Sequence, residues 1–251
     1  MAGTVHNQDL AAVQWQPATG DVNTIPQSNQ VDVWRAQISS NIELIPTLSA
    51  TFTAGEIVRG SKYYRESDRQ RFAVSRGALR FILSRYLNIH PSEIEFSQTG
   101  EKKPYIANDD TGLQFNLSHS GDWVLLAIAK QHVGTDIEYL DPDFHFDDII
   151  PEHFSEKEAI SINTSDKIAN FYKFWTRKEA FLKATGQGLG EHLKVTSALD
   201  GYNDLPTELT GHKERWNTLS FNVTEDYTGS VTVKEPDPRF LFWDWRLINP
   251  V

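Results

Sequence analysis

One layout occurs twice along this chain, and that repetition restricts the possible folds more than any other feature. The segment "VDVWRAQI" (31–38) alternates like a strand, and "RFAVSRGALRFILSRYL" (71–87) follows with helical periodicity. About a hundred residues later "VGTDIEYL" (133–140) is followed by "FSEKEAI" (154–160) and "FYKFWTRKEAFLKATG" (171–186) in the same order. Each half is predicted to be a small α+β unit, and the chain divides near residue 133. No low-complexity linker intervenes, so the halves are expected to pack tightly, as an N-terminal subdomain at 31–133 and a C-terminal one at 134–251. Residues 1–30, with Pro17, Pro26 and many Gln and Asn, read as a loosely ordered polar leader.

The helices are the clearest elements. Residues 68–87 place Phe72, Leu79, Ile82, Leu83 and Tyr86 on a core stripe. Phe171, Trp175, Lys178 and Leu182 form a stripe on the second helix, and Gly186 stands where a helix stops. "SEKE" at 155–158 has capping-box spacing and is predicted to open a helix. "FNLSHSG" (115–121) reads as a loop feeding a strand at 123–129, with a second strand at 133–140. Strand-like runs recur at 219–224, 229–233 and 240–245.

Hydrophobic residues make up 39% of the 251, enough for a sizeable core. The chain has no cysteine, which removes disulfides, zinc–thiolate sites and thiol nucleophiles. Its net charge of −10 argues against a general nucleic-acid binder. Residues 57–103 nevertheless hold ten Lys or Arg against five Asp or Glu, a basic island that suits a localised anionic ligand or a solvated helix face. The N-terminus lacks a basic start followed by an apolar run, and no run of 18 apolar residues occurs, so a cytoplasmic protein without membrane contact is expected.

Three groups of polar residues invite chemistry. In the strand "GTDIEYL", Asp136 and Glu138 share a face about 6.6 Å apart, with Thr135, Ile137 and Tyr139 turned towards a core. Two carboxylates on one face need either a cation, such as Mg²⁺, or the solvent at an edge strand. Glu179 lies at the border of the apolar stripe with Lys183 one turn on. Such a pair is ordinary helix decoration worth roughly 0.2–0.5 kcal/mol, or part of a metal or phosphate site. Ser118 and His119 could donate to phosphate oxygens, whereas adjacent residues without an elbow motif do not make an acyl-transfer dyad.

Taken in order, "KKPYI" (102–106), "FNLSHS" (115–120), "GTDIEYL" (134–140) and "FWTRKEAFLKATGQGL" (174–189) resemble the 4′-phosphopantetheinyl transferases of the larger, surfactin-synthetase-activating (Sfp-like) type. The resemblance covers roughly residues 55–195, and its last two motifs are specific in combination. It implies two similar α+β subdomains in pseudo-twofold relation, with coenzyme A and Mg²⁺ between them. It also implies the reaction: a serine of an apo acyl or peptidyl carrier protein receives 4′-phosphopantetheine, and adenosine 3′,5′-bisphosphate leaves. By the same resemblance Asp136, Glu138 and Glu179 surround the metal, and Lys183 holds the transferred phosphate with Lys178 close by. Ser118 and His119 contact the coenzyme A phosphates, Lys103 lies near the adenine nucleotide, Arg71 grips the 3′-phosphate, and Arg59 adds a further basic contact. The usual glycine before Lys–Pro is Lys102 here, and the usual aliphatic residue before Asp136 is Thr135. Glu56 stands where some relatives carry a basic residue. The expected partners are coenzyme A and a carrier protein, and the expected state is a monomer. The competing readings are a non-catalytic coenzyme A- or carrier-binding homologue and a Mg²⁺-dependent phosphatase or nuclease.

Overall fold

A computed structural model describes residues 3–10, 12–18, 24–100, 103–107, 109–187, 192–210 and 214–246. The first part of the chain forms β1 (Gly3–Leu10), β2 (Gln16–Pro17) and β3 (Gln30–Gln37). Helices α1 (Ile45–Ser49), α2 (Ala54–Ser61) and α3 (Glu66–Leu87) follow. Next come β4 (Phe96–Gln98), β5 (Pro104–Ile106), β6 (Gln114–Ser120), β7 (Trp123–Ala129) and β8 (Val133–Tyr139). Helices α4 (Ile149–His153), α5 (Glu156–Ile162) and α6 (Lys167–Thr185) lead to β9 (Gly201–Leu205), α7 (Thr207–Thr210), β10 (Arg215–Thr224), β11 (Tyr227–Val233) and β12 (Arg239–Asp244).

The repeated layout is real. One five-stranded sheet has the order β2-β12-β3-β7-β6 and the other β8-β11-β10-β1-β9. Within them the trios β3-β7-β6 and β8-β11-β10 are built alike, each an antiparallel hairpin laid against the half's leading strand. A long helix, α3 or α6, follows that leading strand. β7 is buried on both faces: Leu125 and Ala127 pack with Val31, Val231 and Phe221 between the sheets, while Leu126 and Ile128 pack with Val74 and Ile82 of α3. That double burial is why "WVLLAIA" reads as an unbroken apolar run. The layers therefore run helix, sheet, sheet, helix.

Four expectations are corrected here. Gly3–Leu10 is no leader: it lies between β10 and β9, parallel to β10 with Val5 opposite Trp216. Its polar residues are accommodated individually, as when the buried Asn7 amide donates to the carbonyls of Ser197 and Leu199 at 2.9 Å. Likewise β12 crosses to the first sheet, parallel to β3. The chain passes between sheets from Ala129 to Val133, but each half exchanges a terminal strand with the other. The expected loop at "FNLSHSG" is strand β6, and Tyr139 is exposed at the end of β8 instead of buried in a core.

The second half is locked by α6. Ser155 caps α5, as its spacing predicts, and Glu158 completes the box. Helix α6 lies on the second sheet over a row of small hydroxyls, with Thr176 Oγ1 2.9 Å from Ser230 Oγ and Arg177 Nε donating to Ser220 Oγ at 2.8 Å. Beside that row Gly134 of β8 touches the helix backbone. A Cβ there would stand 2.2 Å from the Ala180 carbonyl oxygen and 2.3 Å from the Ala184 nitrogen. No helix among the described residues is long and apolar enough to cross a membrane.

Candidate active site

Strands β6 and β8 belong to different sheets yet lie side by side, joined by side chains. The Thr135 amide donates to Asn116 Oδ1 at 2.8 Å, Ser118 Oγ to Asp136 Oδ1 at 2.8 Å, and Ser120 Oγ to Glu138 Oε2 at 2.9 Å. Helix α6 closes the junction with Glu179 and Lys183, one turn apart. Lys183 Nζ stands 2.6 Å from Asp136 Oδ1, 3.2 Å from Ser118 Oγ and 3.7 Å from Glu179 Oε2.

The electrostatics follow from burial. Asp136 is 3% exposed and Glu179 6%, so neither is a solvated edge carboxylate. Burial, reinforced by the Asp136 charge, pushes the carboxyls of Glu138 and Glu179 up to about 7. Burial also works against the Lys183 ammonium, but Asp136 and Glu179 outweigh it and hold its pKa above the usual lysine value. Asp136 Oδ2 is buried and has no hydrogen-bond partner among the described residues. The carboxylates face one junction without closing on a common point: among the described residues no three Asp, Glu or His side chains form a ready metal cage. The cation seated on Asp136 is Lys183.

A cavity of about 310 Å³ opens between α3 and β6. Arg59, Arg71 and Arg76 supply its positive wall, His119 adds an imidazole, and Phe72 and Pro104 supply apolar faces. Arg71 pairs with Asp68 at 2.9 Å and reaches the Gly121 carbonyl. Burial, and then Arg71, push the His119 pKa below its usual value.

The residues singled out in the sequence thus separate into four places. Asp136, Glu138, Glu179, Lys183 and Ser118 meet at the junction. His119, Arg71 and Arg59 line the cavity. Ser118 and His119 do not act together, because successive strand residues point to opposite faces. Lys103 bridges the halves, donating to the carbonyls of Val133 at 3.2 Å and Ala184 at 3.0 Å, and burial lowers its pKa to about 8. Lys102 and the end of the motif at 188–189 lie outside the described residues.

Lys178 is elsewhere. It is fully buried, 3.0 Å from Glu158 Oε2, and donates to the carbonyls of Leu193 and Thr196. Its role is to tie α6 to α5. Removing one partner of a buried ion pair costs about 3–5 kcal/mol. Lys178→Met is therefore expected to lower the melting temperature clearly, read by calorimetry. An unchanged melting temperature would mean that the buried pair with Glu158 does not tie α6 to α5.

Three participants were missed from the sequence. Ser120 and Asn116 needed knowledge that β6 lies against β8. Glu56 receives Arg76 at 3.0 Å and Arg80 at 2.7 Å, and so orients the arginines under the cavity. The signal for Glu56 was present, since Thr53 three residues before it makes a capping box.

The comparisons with known proteins agree across the chain. Residues 41–131 match the family described as 4′-phosphopantetheinyl transferase, N-terminal, and residues 132–239 match the 4′-phosphopantetheinyl transferase superfamily. The chain is 32% identical to the 4′-phosphopantetheinyl transferase HetI of Nostoc sp., over 92% of this chain and 98% of that protein. It is 33% identical to a putative 4′-phosphopantetheinyl transferase of Synechocystis sp., covering 73% and 77% of the two chains. It is 31% identical to the 4′-phosphopantetheinyl transferase Sfp of Bacillus subtilis, over 70% and 79%. Fold and matches together define a transferase. The chain belongs to the 4′-phosphopantetheinyl transferase superfamily.

Proposed function

We propose that the protein transfers 4′-phosphopantetheine from coenzyme A to a serine of an apo acyl or peptidyl carrier protein in the presence of Mg²⁺, releasing adenosine 3′,5′-bisphosphate. The observation that carries this reading is the meeting of Asp136, Glu138, Glu179 and Lys183 at the junction of the two halves, beside a basic cavity. Phosphoryl transfer needs alignment and charge neutralisation above all, and this chain has both kinds of residue in one place.

The residues fit a dication. The buried, unpartnered Asp136 Oδ2 and two carboxyls raised to about 7 are what a site short of positive charge looks like. Asp136, Glu138 and Glu179 would hold the ion, which when bound neutralises charge on the transferring phosphate. Lys183, now on Asp136, would then be free to hold the phosphate oxygens. Arg71, Arg59 and His119 hold the nucleotide phosphates by charge-assisted hydrogen bonds, and Lys103 lies beside the nucleotide. The carrier serine oxygen forms its bond to phosphorus as the bond to the departing nucleotide breaks. The serine proton passes to Glu179, which would also be a ligand to the ion, the larger part of its role.

The direct test is one incubation of apo carrier protein with coenzyme A and Mg²⁺, read by intact mass. A carrier whose mass rises by one phosphopantetheine supports the reading, and an unchanged mass at every carrier tried rejects it. Arg71→Ala should weaken coenzyme A by roughly 1.5–3 kcal/mol, about ten- to a hundredfold, and dephospho-coenzyme A far less. Equal losses for both ligands would place Arg71 away from the 3′-phosphate.

Glu179→Gln should raise the Mg²⁺ concentration needed for half-maximal rate, with much of the rate restored by added Mg²⁺. A wild-type rate at every Mg²⁺ level would remove Glu179 from the site. The raised carboxyls also fix the sign of a pH effect. Glu138 and Glu179 must lose protons to hold a cation, so Mg²⁺ affinity should climb as pH rises through about 7 and level off above it. Calorimetry in buffers of different ionisation enthalpy should register the released protons.

A further inference from the structure

We propose that Ser120 is a positioning residue for Glu138, and through it for the dication, an inference that rests on the transferase reading above. Strands β6 and β8 share no backbone ladder, being in separate sheets. What aligns them is a row of side chains at every second residue of β6: Asn116 takes the Thr135 amide, Ser118 donates to Asp136, and Ser120 donates to Glu138. The end of the row differs from the middle. Ser118 Oγ is shared with Lys183, which can move to the substrate. Ser120 Oγ is held at both of its functions, accepting from the Tyr139 amide at 3.1 Å and donating to Glu138 Oε2 at 2.9 Å.

That double engagement orients the hydroxyl. Because the Tyr139 amide takes up an acceptor direction, the single Ser120 proton is aimed at Glu138 and pins one carboxylate oxygen. Glu138 has three side-chain torsions, sits beside Asp136, and has no ion pair among the described residues, so without this contact nothing on β6 selects its rotamer. Hydrogen-bond partners of metal ligands typically govern affinity by 10–100-fold when removed. Ser120 is adjacent to Gly121, whose φ of +50° makes the turn into β7, so the hairpin geometry places the hydroxyl without help from the substrate.

The test is calorimetric titration of the protein with Mg²⁺, in the absence of coenzyme A and carrier, for wild type, Ser120→Ala and Ser120→Thr. The expected result is a Mg²⁺ affinity about tenfold or more weaker in Ser120→Ala, restored to within about threefold in Ser120→Thr. The Mg²⁺ concentration for half-maximal transfer should rise by the same factor, while kcat at saturating Mg²⁺ and the metal-free affinity for coenzyme A stay within about threefold of wild type. Unchanged Mg²⁺ affinity in Ser120→Ala overturns the inference. So does a fall in kcat at every Mg²⁺ concentration without a change in affinity, or a loss of melting temperature that alone accounts for the weaker binding and that Ser120→Thr shares. A wild-type protein that takes up no Mg²⁺ while still transferring the group would overturn this inference and leave the transferase reading standing. Wild type that binds Mg²⁺ but modifies no carrier would overturn the reading itself.

Discussion

Asp136→Asn is expected to lower the rate of group transfer by about 10³-fold or more, within or beyond the range for loss of a group acting directly on the reacting centre. The substitution keeps size and shape but removes the charge on which the junction is organised. Asp136 Oδ1 receives both Ser118 and Lys183, and the Asp136 charge is a named cause of the raised carboxyls of Glu138 and Glu179. Without it the proposed dication would lose a ligand charge, and Lys183 loses its resting partner. The fold should survive, because β8 keeps its ladder with β11 from Val133 to Tyr139 and the Lys183 side chain, 26% exposed, can turn to solvent. Two secondary readings accompany the rate. Proton release on Mg²⁺ binding should shrink, since Glu138 and Glu179 fall back towards ordinary carboxyl values. The melting temperature should change little. A near-wild-type transfer rate at limiting Mg²⁺ would remove Asp136 from the site.

Gly134→Ala should damage stability and activity together. Its new methyl would overlap the Ala180 carbonyl oxygen and the Ala184 nitrogen, both backbone atoms of α6 that cannot rotate away. Overpacking of this kind costs about 3 kcal/mol, at the upper end of the usual range, or roughly 6–12 °C in Tm for a chain of this size. The relief available is for α6 to lift from β8. That carries Glu179 and Lys183 away from Asp136, and a displacement near 1 Å can cost about 10²-fold in rate. Gly100→Ala is the matched control, because a Cβ there meets no atom within 4 Å. If Gly134→Ala melts and turns over like wild type, the close contact between α6 and β8 is not what positions the site.

Much of the architecture was legible because its signals are local. The periodicity of α3 and α6, the capping box at Ser155 and the unbroken apolar run of β7 each depend on residues a few positions apart. The recurrence of strand and long helix announced two related units. The acidic pair on β8 was legible for the same reason, since the two-residue period of a strand puts Asp136 and Glu138 on one face whatever surrounds it.

Other features are relations between distant segments. β1 looked like a polar leader because its partners, β10 and β9, lie about two hundred residues away and absorb its polar groups one by one. Lys178 and Lys183 look equivalent in a motif, yet five residues turn a helix by about 140°, so one meets α5 and the other meets β8. Ser118 and His119 are adjacent in sequence and part company because a strand sends neighbours to opposite sides. The sequence by itself determined the long helices, the strands β7 and β8, and which residue types carry charge. Only the tertiary structure decided which of those charges share a junction, because the approach of α6 to Gly134, and of β6 to β8, is set by packing between segments that no local pattern connects.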